Sequence, residues 1–282
     1  MDFDFTQVSV PFHMRPGLAR LAPDARHLTP LRPGSVLYAE KLAILRQSDT
    51  RQAMPGFDPA DVLAAVRAQA LKDGVTAGDA DSLPLELQVE EDLVLLDTVT
   101  TRVPWMCVSV PSRWAPEEKI GLSLASIHHP VADGEALAAA LPHLIRALGH
   151  GARWERFVWT VSASPLFDQH PRRQALVPWP DEANPALLAA CCFLRAERQT
   201  FFPLCDAHGR PRPQVVFTIR VMMEPLVTAV RIARDARTLH DSIASMSKAV
   251  LDYKGLSPVR DRLLRWLADR AAAQPQVPVD PV

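Results

Sequence analysis

The amino-acid sequence predicts an α+β fold in which helices precede and follow a strand-rich centre. Residues 36–47 and 58–74 have apolar side chains at helical spacing. The short apolar runs at 92–97 and 105–111 have the length and composition of strands. Helical spacing returns after residue 224. This order of elements is typical of one compact α+β unit.

The first two helices are predicted by their apolar faces and by the residues that begin them. Residues before 36 contain scattered proline and arginine and are expected to form an extended arm. Leu37, Leu42 and Ile44 define the inner face of the first helix. Asp58 is predicted to cap the second helix, and Pro59 to stand in its first turn.

The centre alternates between strands and one helix. The runs at 92–97 and 105–111 are predicted strands, and residues 156–162 form another. Residues 133–148 are rich in alanine and leucine and predict a helix, which Pro142 is expected to kink or split.

The second half predicts a strand pair followed by helices. The pair spans residues 192–202 and 214–223, and the turn-rich segment 206–211 joins its strands. Helical spacing then covers 227–246 and 258–272.

Composition is that of an ordinary globular protein. Of 282 residues, 48% are hydrophobic and 22% are charged, and the net charge is -1. This charge does not favour nucleic acid as the main partner. With no internal repeat or linker, we expect a single domain over residues 1–270 and a disordered tail over 271–282.

The cysteines and the N-terminus predict a cytoplasmic protein. None of the four cysteines stands in a Cys-x-x-Cys motif, so the spacings of zinc ribbons, thioredoxins and ferredoxin clusters are absent. The start, Met1-Asp2-Phe3-Asp4, is acidic where a signal peptide is basic. No apolar run reaches the length of about 18 residues that a membrane span needs.

Several large enzyme classes lack their motifs here. The sequence has no Gly-rich phosphate loop, dinucleotide fingerprint, His-Glu-x-x-His or Gly-x-Ser-x-Gly. Any flavin or nicotinamide chemistry is therefore expected on another chain.

Two adjacent histidines, His128 and His129, are predicted to lie at a strand-to-helix corner. Imidazole is a common ligand of metals and of haem iron. Because consecutive side chains diverge, one ligand and one neighbour is the better interpretation than two ligands. The alternative, which local sequence alone favours, is a histidine that caps a helix or packs at a surface corner.

The segment from Arg195 to Thr200 places charges on a predicted strand. Alternation puts Arg195, Glu197 and Gln199 on one face and Arg198 on the other. Arg220, on the predicted partner strand, is expected to reach the same strip. Such charges bind a ligand or pair with one another, and the sequence leaves both interpretations open.

Four tryptophans fall within a short stretch of the chain. Aromatic walls suit a flat macrocycle or a methylammonium group, but large aromatics in strands are more often core residues. The four are Trp105, Trp114, Trp154 and Trp159.

Short segments of distinctive sequence stand in a set order over residues 10 to 226. They are Val10-Pro11-Phe12, Gln88-Val89-Glu90-Glu91-Asp92, Pro111-Ser112-Arg113-Trp114-Ala115-Pro116 with Lys119, Ile127-His128-His129-Pro130-Val131, Arg156 with Trp159, Leu194-Arg195-Ala196-Glu197-Arg198-Gln199-Thr200 and Val216-Phe217-Thr218-Ile219-Arg220. In this order and spacing the chain resembles the haem-dependent oxidative N-demethylase alpha-subunit family, the oxygenase component of dimethylamine monooxygenase-like systems.

The resemblance implies a PAS-like antiparallel sheet with helices around a haem pocket, and a b-type haem as cofactor. It implies oxidative removal of a methyl group from a small secondary amine such as dimethylamine. That reaction uses dioxygen and electrons and releases formaldehyde. A separate flavin or iron–sulfur reductase is implied as partner, since this chain has no motif for either cofactor.

The resemblance also implies roles for individual residues. Its Ile-His-x-Pro-Val stretch maps the iron ligand onto His128. Glu197 and Arg198 are the expected catalytic residues, and Glu197 handles a proton or the ammonium group. The remaining cofactor contacts are expected from Arg195, Arg220, Trp105, Trp159 and Lys119. A non-catalytic haem sensor, or a divergent member that has lost haem, remains the alternative.

Overall fold

A computed structural model of the chain describes residues 3–14, 17–75, 83–128, 134–149, 153–206 and 208–273. Within these ranges the strands are β1 (Ala19–Arg20), β2 (Arg51–Ala53), β3 (Asp92–Asp97), β4 (Trp105–Cys107), β5 (Trp154–Ser162), β6 (Phe193–Cys205) and β7 (Pro211–Pro225). The α-helices are α1 (Val36–Leu45), α2 (Ala60–Lys72), α3 (Leu124–His128), α4 (Gly134–Gly149), α5 (Pro185–Ala190), α6 (Leu226–Ala229), α7 (Ala233–Ala244), α8 (Lys248–Tyr253) and α9 (Arg260–Ala272). The predicted α+β class is confirmed.

The strands form one seven-stranded sheet in the order β1-β5-β6-β7-β3-β4-β2, with every neighbouring pair antiparallel. The predicted strand pair is the long β6–β7 hairpin at its centre. The carboxylate of Asp206 begins the turn between the two strands, because it accepts hydrogen bonds from the backbone N–H groups of His208 and Arg210. The hairpin carries β5 on one side and β3 on the other.

Side chains along β6 alternate between the two faces of the sheet. We call the side that carries Arg195, Glu197 and Gln199 the Glu197 face, and the side that carries Arg198 and Thr200 the Arg198 face. Arg195 and Glu197 both bond Ser112, whereas Arg198 pairs with Glu155 and Thr200 bonds His27. The predicted division of these charges between two faces is therefore confirmed.

Helices cover both faces. On the Glu197 face, helices α1, α3 and α4 pack against Val94, Val215, Ile219 and their neighbours. On the Arg198 face, helix α2 packs against the half of the sheet that contains β3 and β4. Helices α5 to α9 pack against the half that contains β5 and β6. Two buried layers thus enclose the charged centre of β6.

Strand β4 is shorter than the sequence predicts, because a carboxylate accepts the hydrogen bonds that the backbone of a neighbouring strand would otherwise accept. The prediction of a strand over 105–111 is wrong beyond Cys107. The backbone N–H groups of Ser109 and Val110 donate to the two carboxylate oxygens of Asp92, each at 2.9 Å. Asp92 is itself buried and lies 3.5 Å from the ammonium group of Lys41. The chain therefore leaves the sheet at residue 108 and forms a loop.

The C-terminal helices also differ from the prediction. The single helix expected over 227–246 is divided into α6 and α7, since the carbonyl of Val230 accepts hydrogen bonds from the Arg270 side chain. Helix α9 extends to Ala272, past the predicted start of the tail, and residues 274–282 lie outside the described ranges. Pro142 lies inside α4 without splitting it.

The N-terminal arm is held to the Arg198 face by His27, which is 1% exposed. The Nε of Arg153 donates to His27 Nε2 at 2.8 Å, so the ring proton is on Nδ1 and is donated to Thr200 Oγ1 at 2.9 Å. Burial, together with the charges of Arg153 and Arg198, lowers the pKa of His27 from 6.5 to about 3. The arm is therefore held by a neutral imidazole.

The buried His27 makes the stability of the fold depend on pH. Below pH 6.5 the unfolded chain takes up a proton at this residue that the folded chain does not. We expect the free energy of unfolding to fall by about 1.4 kcal/mol per pH unit from this residue as the pH drops toward 4. Urea denaturation at several pH values measures the free energy of unfolding of the wild type and of His27→Gln. The difference in this free energy between the two proteins is expected to shrink as the pH falls.

The matched control is His208→Gln, which changes an exposed histidine in the β6–β7 turn. This variant is expected to follow the wild type at every pH. Parallel stability curves for the wild type and His27→Gln would contradict the assignment of a neutral imidazole.

Candidate active site

His128 is the last residue of helix α3 and is half-buried. Its Nδ1 lies 2.8 Å from the carbonyl oxygen of Leu124, one helical turn earlier. Because a carbonyl oxygen only accepts, Nδ1 carries the proton and Nε2 keeps its lone pair. Among the described residues none forms a hydrogen bond with Nε2. An imidazole held in this way can offer Nε2 to a metal ion.

Electrostatics keep this imidazole neutral. Burial is the main cause that lowers the pKa of His128 below its ordinary value, and its hydrogen bond to Leu124 opposes this shift. The positive charges of Arg156 and Lys119 lower the pKa further. His128 is therefore unprotonated on Nε2 near neutral pH, as a metal ligand must be.

The predicted strand-to-helix corner at His128 is wrong. No strand leads into α3, whose first turn follows an isolated bridge between Arg102 and Ser123. A one-turn helix instead supplies the carbonyl that orients the ring. His129 lies outside the described residues.

The carboxylate of Glu197 is held at both oxygens. Ser112 Oγ donates to Oε1 through a short hydrogen bond, and Gln199 Nε2 donates to Oε2 at 2.7 Å. Ser112 Oγ also accepts from two nitrogens of Arg195, Nε at 3.0 Å and Nη2 at 2.9 Å. With its lone pairs occupied by Arg195, the hydroxyl directs its proton to Glu197. Arg195 thus orients Glu197 through Ser112.

The remaining nitrogens of Arg195 bond parts of the protein that surround the strand. Its side chain is 2% exposed. Nη1 contacts the carbonyl of Leu166 at 3.3 Å and Met223 Sδ at 3.5 Å, and Nη2 contacts the carbonyl of Val110 at 3.3 Å. The predicted contact of Arg195 with a cofactor stays a prediction, and these bonds account for its burial.

Three further groups surround Glu197 at the edge of the sheet. Burial lowers the pKa of Arg156 and of Lys254, and the negative charge of Glu197 opposes this shift. For Tyr253, burial and the charge of Glu197 both raise the pKa. Lys254 Nζ donates to the carbonyl of Trp159 at 2.7 Å, and burial lowers the pKa of this lysine to about 8. Two cations and a phenol therefore lie within electrostatic range of one oriented carboxylate.

Two loops approach each other closely beside Glu197. Arg113 has a φ of 63°, and Gly255 has a φ of 69°, a left-handed conformation that favours glycine. A Cβ atom at residue 255 would lie 2.8 Å from Nη1 of Arg113. The loop that carries Ser112 therefore lies next to the turn that carries Lys254.

Arg198 and Arg220 lie on the other side of the sheet. The two residues are opposite each other in the β6–β7 register, so both side chains are on the Arg198 face. Arg198 pairs with Glu155 at 3.1 Å, and Arg220 pairs with Glu90 at 2.6 Å. The expectation that Arg220 reaches the strip of Arg195 is therefore wrong, and Arg198 is separated from Glu197 by the sheet.

The tryptophans named for the pocket also lie on the Arg198 face. Trp105 is 1% exposed and packs with helix α2, and Trp159 packs with helices α5 to α9. Trp159 nevertheless contacts Lys254, whose Nζ donates to the Trp159 carbonyl and lies 5.4 Å from the centroid of the Trp159 ring. Lys119, by contrast, follows the 3-10 helix Pro116–Glu118 and lies near His128.

The structure therefore brings together His128, Lys119, Arg195 and Glu197 of the predicted residues, and adds Ser112, Arg156, Tyr253 and Lys254. Ser112 and Arg156 stand in the segments that carry the family resemblance, which was the available signal for them. Tyr253 and Lys254 have no such signal, because they are the last residue and the C-cap of helix α8 and stand in none of those segments.

Two features are absent from the described ranges. No group of three or more His, Cys, Asp and Glu side chains that could hold a metal ion occurs among them. None of their helices is both long and apolar enough to cross a membrane.

The chain was compared with models of known protein families. The model described as haem-dependent oxidative N-demethylase, alpha subunit-like, matches residues 77–264. The match includes Ser112, His128, Arg156, Glu197 and Lys254, so it covers the whole candidate site as well as two thirds of the chain. The chain thus belongs to the haem-dependent oxidative N-demethylase alpha-subunit-like family.

Proposed function

We propose that this protein binds a b-type haem through His128 and oxidatively demethylates a small secondary amine of the dimethylamine type. Dioxygen is the oxidant, and a separate flavin or iron–sulfur reductase supplies the electrons. The orientation of His128 carries the proposal: a half-buried, neutral imidazole has its Nδ1 proton fixed on Leu124 and its Nε2 lone pair unused by any described residue. Membership of the family supports the reaction class.

The residues present fit a haem at this position. A fixed Nδ1 proton is how proteins orient a histidine that ligates a metal. The cations Arg156 and Lys119 lie within electrostatic range of His128 and can offset the negative charge of haem carboxylates. We further propose a PAS-like arrangement of the antiparallel sheet. His128, Arg156 and Lys119 would hold the haem there.

The bound haem supplies the activation of dioxygen in this reaction. The chain itself positions the amine. Glu197 keeps one free acceptor direction on each carboxylate oxygen, since Ser112 and Gln199 use one apiece. It can accept a hydrogen bond from the amine N–H and take the ammonium proton. One oxygen atom of dioxygen converts a methyl C–H bond to C–OH, and the other leaves as water with two electrons from the reductase and two protons. Cleavage of the C–N bond then releases formaldehyde and the demethylated amine.

Loss of the His128 imidazole is expected to abolish ligation of the haem iron by the protein. His128→Ala should not develop the Soret absorbance of the wild type when haem is added, because the protein ligand to iron is missing. His128→Gly should recover that absorbance when imidazole is added, which separates loss of the ligand from loss of the fold. Absorption spectra of the reconstituted proteins measure both effects.

The neighbouring His129→Ala is the control and should keep the wild-type Soret band. An unchanged spectrum in His128→Ala would contradict the assignment of the ligand. A wild-type chain that takes up no haem would instead support the alternative of a member that has lost it.

Removal of the Ser112 hydroxyl is expected to leave the carboxylate of Glu197 less well oriented, and so to slow the reaction. A hydrogen bond to a charged group contributes about 1.5–3 kcal/mol, so Ser112→Ala should lower kcat/KM for the amine roughly ten- to a hundredfold. Formaldehyde release from dimethylamine, with dioxygen and an electron donor present, measures the rate. The haem spectrum should not change, because Ser112 does not contact His128.

Ser109→Ala is the matched control. Ser109 lies buried in the same loop, and its Oγ has no hydrogen-bond partner among the described residues. This variant is expected to keep the wild-type rate. Haem-loaded wild-type protein that releases no formaldehyde from any of a panel of methylated amines would overturn the enzymatic role and favour the sensor.

A further inference from the structure

One cation of the site has no partner that explains its burial. Arg156 lies on β5 and is opposite Gln199 of β6, so its side chain is on the Glu197 face. Its Nε atom is buried and has no hydrogen-bond partner among the described residues. Burial lowers the pKa of this guanidinium, although the charge of Glu197 opposes the shift. A buried N–H donor without an acceptor is destabilising, so Nε requires an acceptor from a ligand.

Glu197 does not serve as that acceptor. The two groups interact through their charges, but among the described residues their atoms form neither an ion pair nor a hydrogen bond. Two other cations close to Glu197 do have partners: Lys254 bonds the carbonyl of Trp159, and Arg195 bonds Ser112. Arg156 instead has a buried Nε that no described residue satisfies, so the acceptor of this donor is missing.

Charge and shape select the class of ligand. A planar guanidinium binds a carboxylate through two parallel hydrogen bonds. A doubly charged phosphate would be repelled by Glu197 and would need several more donors than this face offers. A single negative charge is thus the better match for an arginine next to a carboxylate.

We infer that Arg156 binds the carboxylate of a ligand on the Glu197 face of the sheet. The inference deepens the proposed function and rests on it for the place of the haem. Two sources have the same chemistry: a propionate of the porphyrin, and a carboxylate on the amine substrate, as in an N-methyl amino acid.

Iron-free porphyrins test the first source without any contribution from His128. Protoporphyrin IX and its dimethyl ester are titrated into the apoprotein, and the quenching of tryptophan fluorescence gives the two dissociation constants. The wild type should bind the free acid roughly ten- to a hundredfold more tightly than the ester. Arg156→Gln should lose this preference, and Arg156→Lys should keep part of it.

Calorimetric titration of the same proteins with N-methylglycine and with dimethylamine tests the second source. If the carboxylate belongs to the substrate, Arg156→Gln loses binding of N-methylglycine, keeps binding of dimethylamine, and keeps the wild-type porphyrin preference. Arg198→Gln is the matched control, because it removes a guanidinium from the opposite face of the same sheet. It should leave both ligand preferences unchanged.

The inference is overturned if the wild type neither prefers the free acid nor binds N-methylglycine, a result that needs no variant to fold. It is also overturned if folded Arg156→Gln matches the wild type with both ligands. If the proposed haem ligation by His128 is wrong but the inference about Arg156 is right, the Soret band is absent and the Arg156-dependent preference for the free-acid porphyrin persists. An intact Soret band with no effect at Arg156 contradicts this inference alone.

Discussion

The hydrogen bonds of Ser112 connect the loop after β4 to the centre of the sheet, and the candidate site depends on them. Arg195 and Glu197 are two residues apart on one strand face, where Arg195 is buried and Glu197 is half-buried. One hydroxyl accepts from the first and donates to the second. Opposite charges placed close together in the protein add little net stability, since removing them from water offsets their attraction. Their effect here is orientation: the carboxylate has one position.

The same constraint explains why the charges of β6 occur on two sides. A strand that alternates Arg195, Glu197 and Gln199 with Arg198 must provide partners on both faces of a sheet that helices cover. On the Arg198 face the partner is Glu155, and His27 with Thr200 fills the space beside it. That face is a closed structural network, whereas the Glu197 face keeps an unsatisfied guanidinium nitrogen and an imidazole nitrogen with no described partner.

Periodicity was sufficient to predict what depends on one strand or one helix alone. It gave α1, the β6–β7 hairpin and the face of Glu197, because these follow from the spacing of apolar residues along the chain. It failed where two strands must be aligned: the face of Arg220 depends on its register opposite Arg198, which the turn at Asp206 sets. It failed also where a side chain replaces a backbone partner, as Asp92 does at the end of β4. The role of Ser112 depends on this loop, so periodicity could not reveal it.

The arrangement around Glu197 bears on the choice between an enzyme and a haem sensor. A haem carrier needs an axial ligand and an apolar pocket, both of which leave the rest of the chain free to vary. An oriented carboxylate requires three further polar side chains, buried at a cost in free energy. Ser112, Gln199 and Arg195 make that arrangement here, and Lys254 holds a positive charge close by. Nothing in haem ligation at His128 calls for such a group, whereas an amine that must be positioned and deprotonated does. The energetic cost of fixing Glu197 is therefore the structural argument for a substrate.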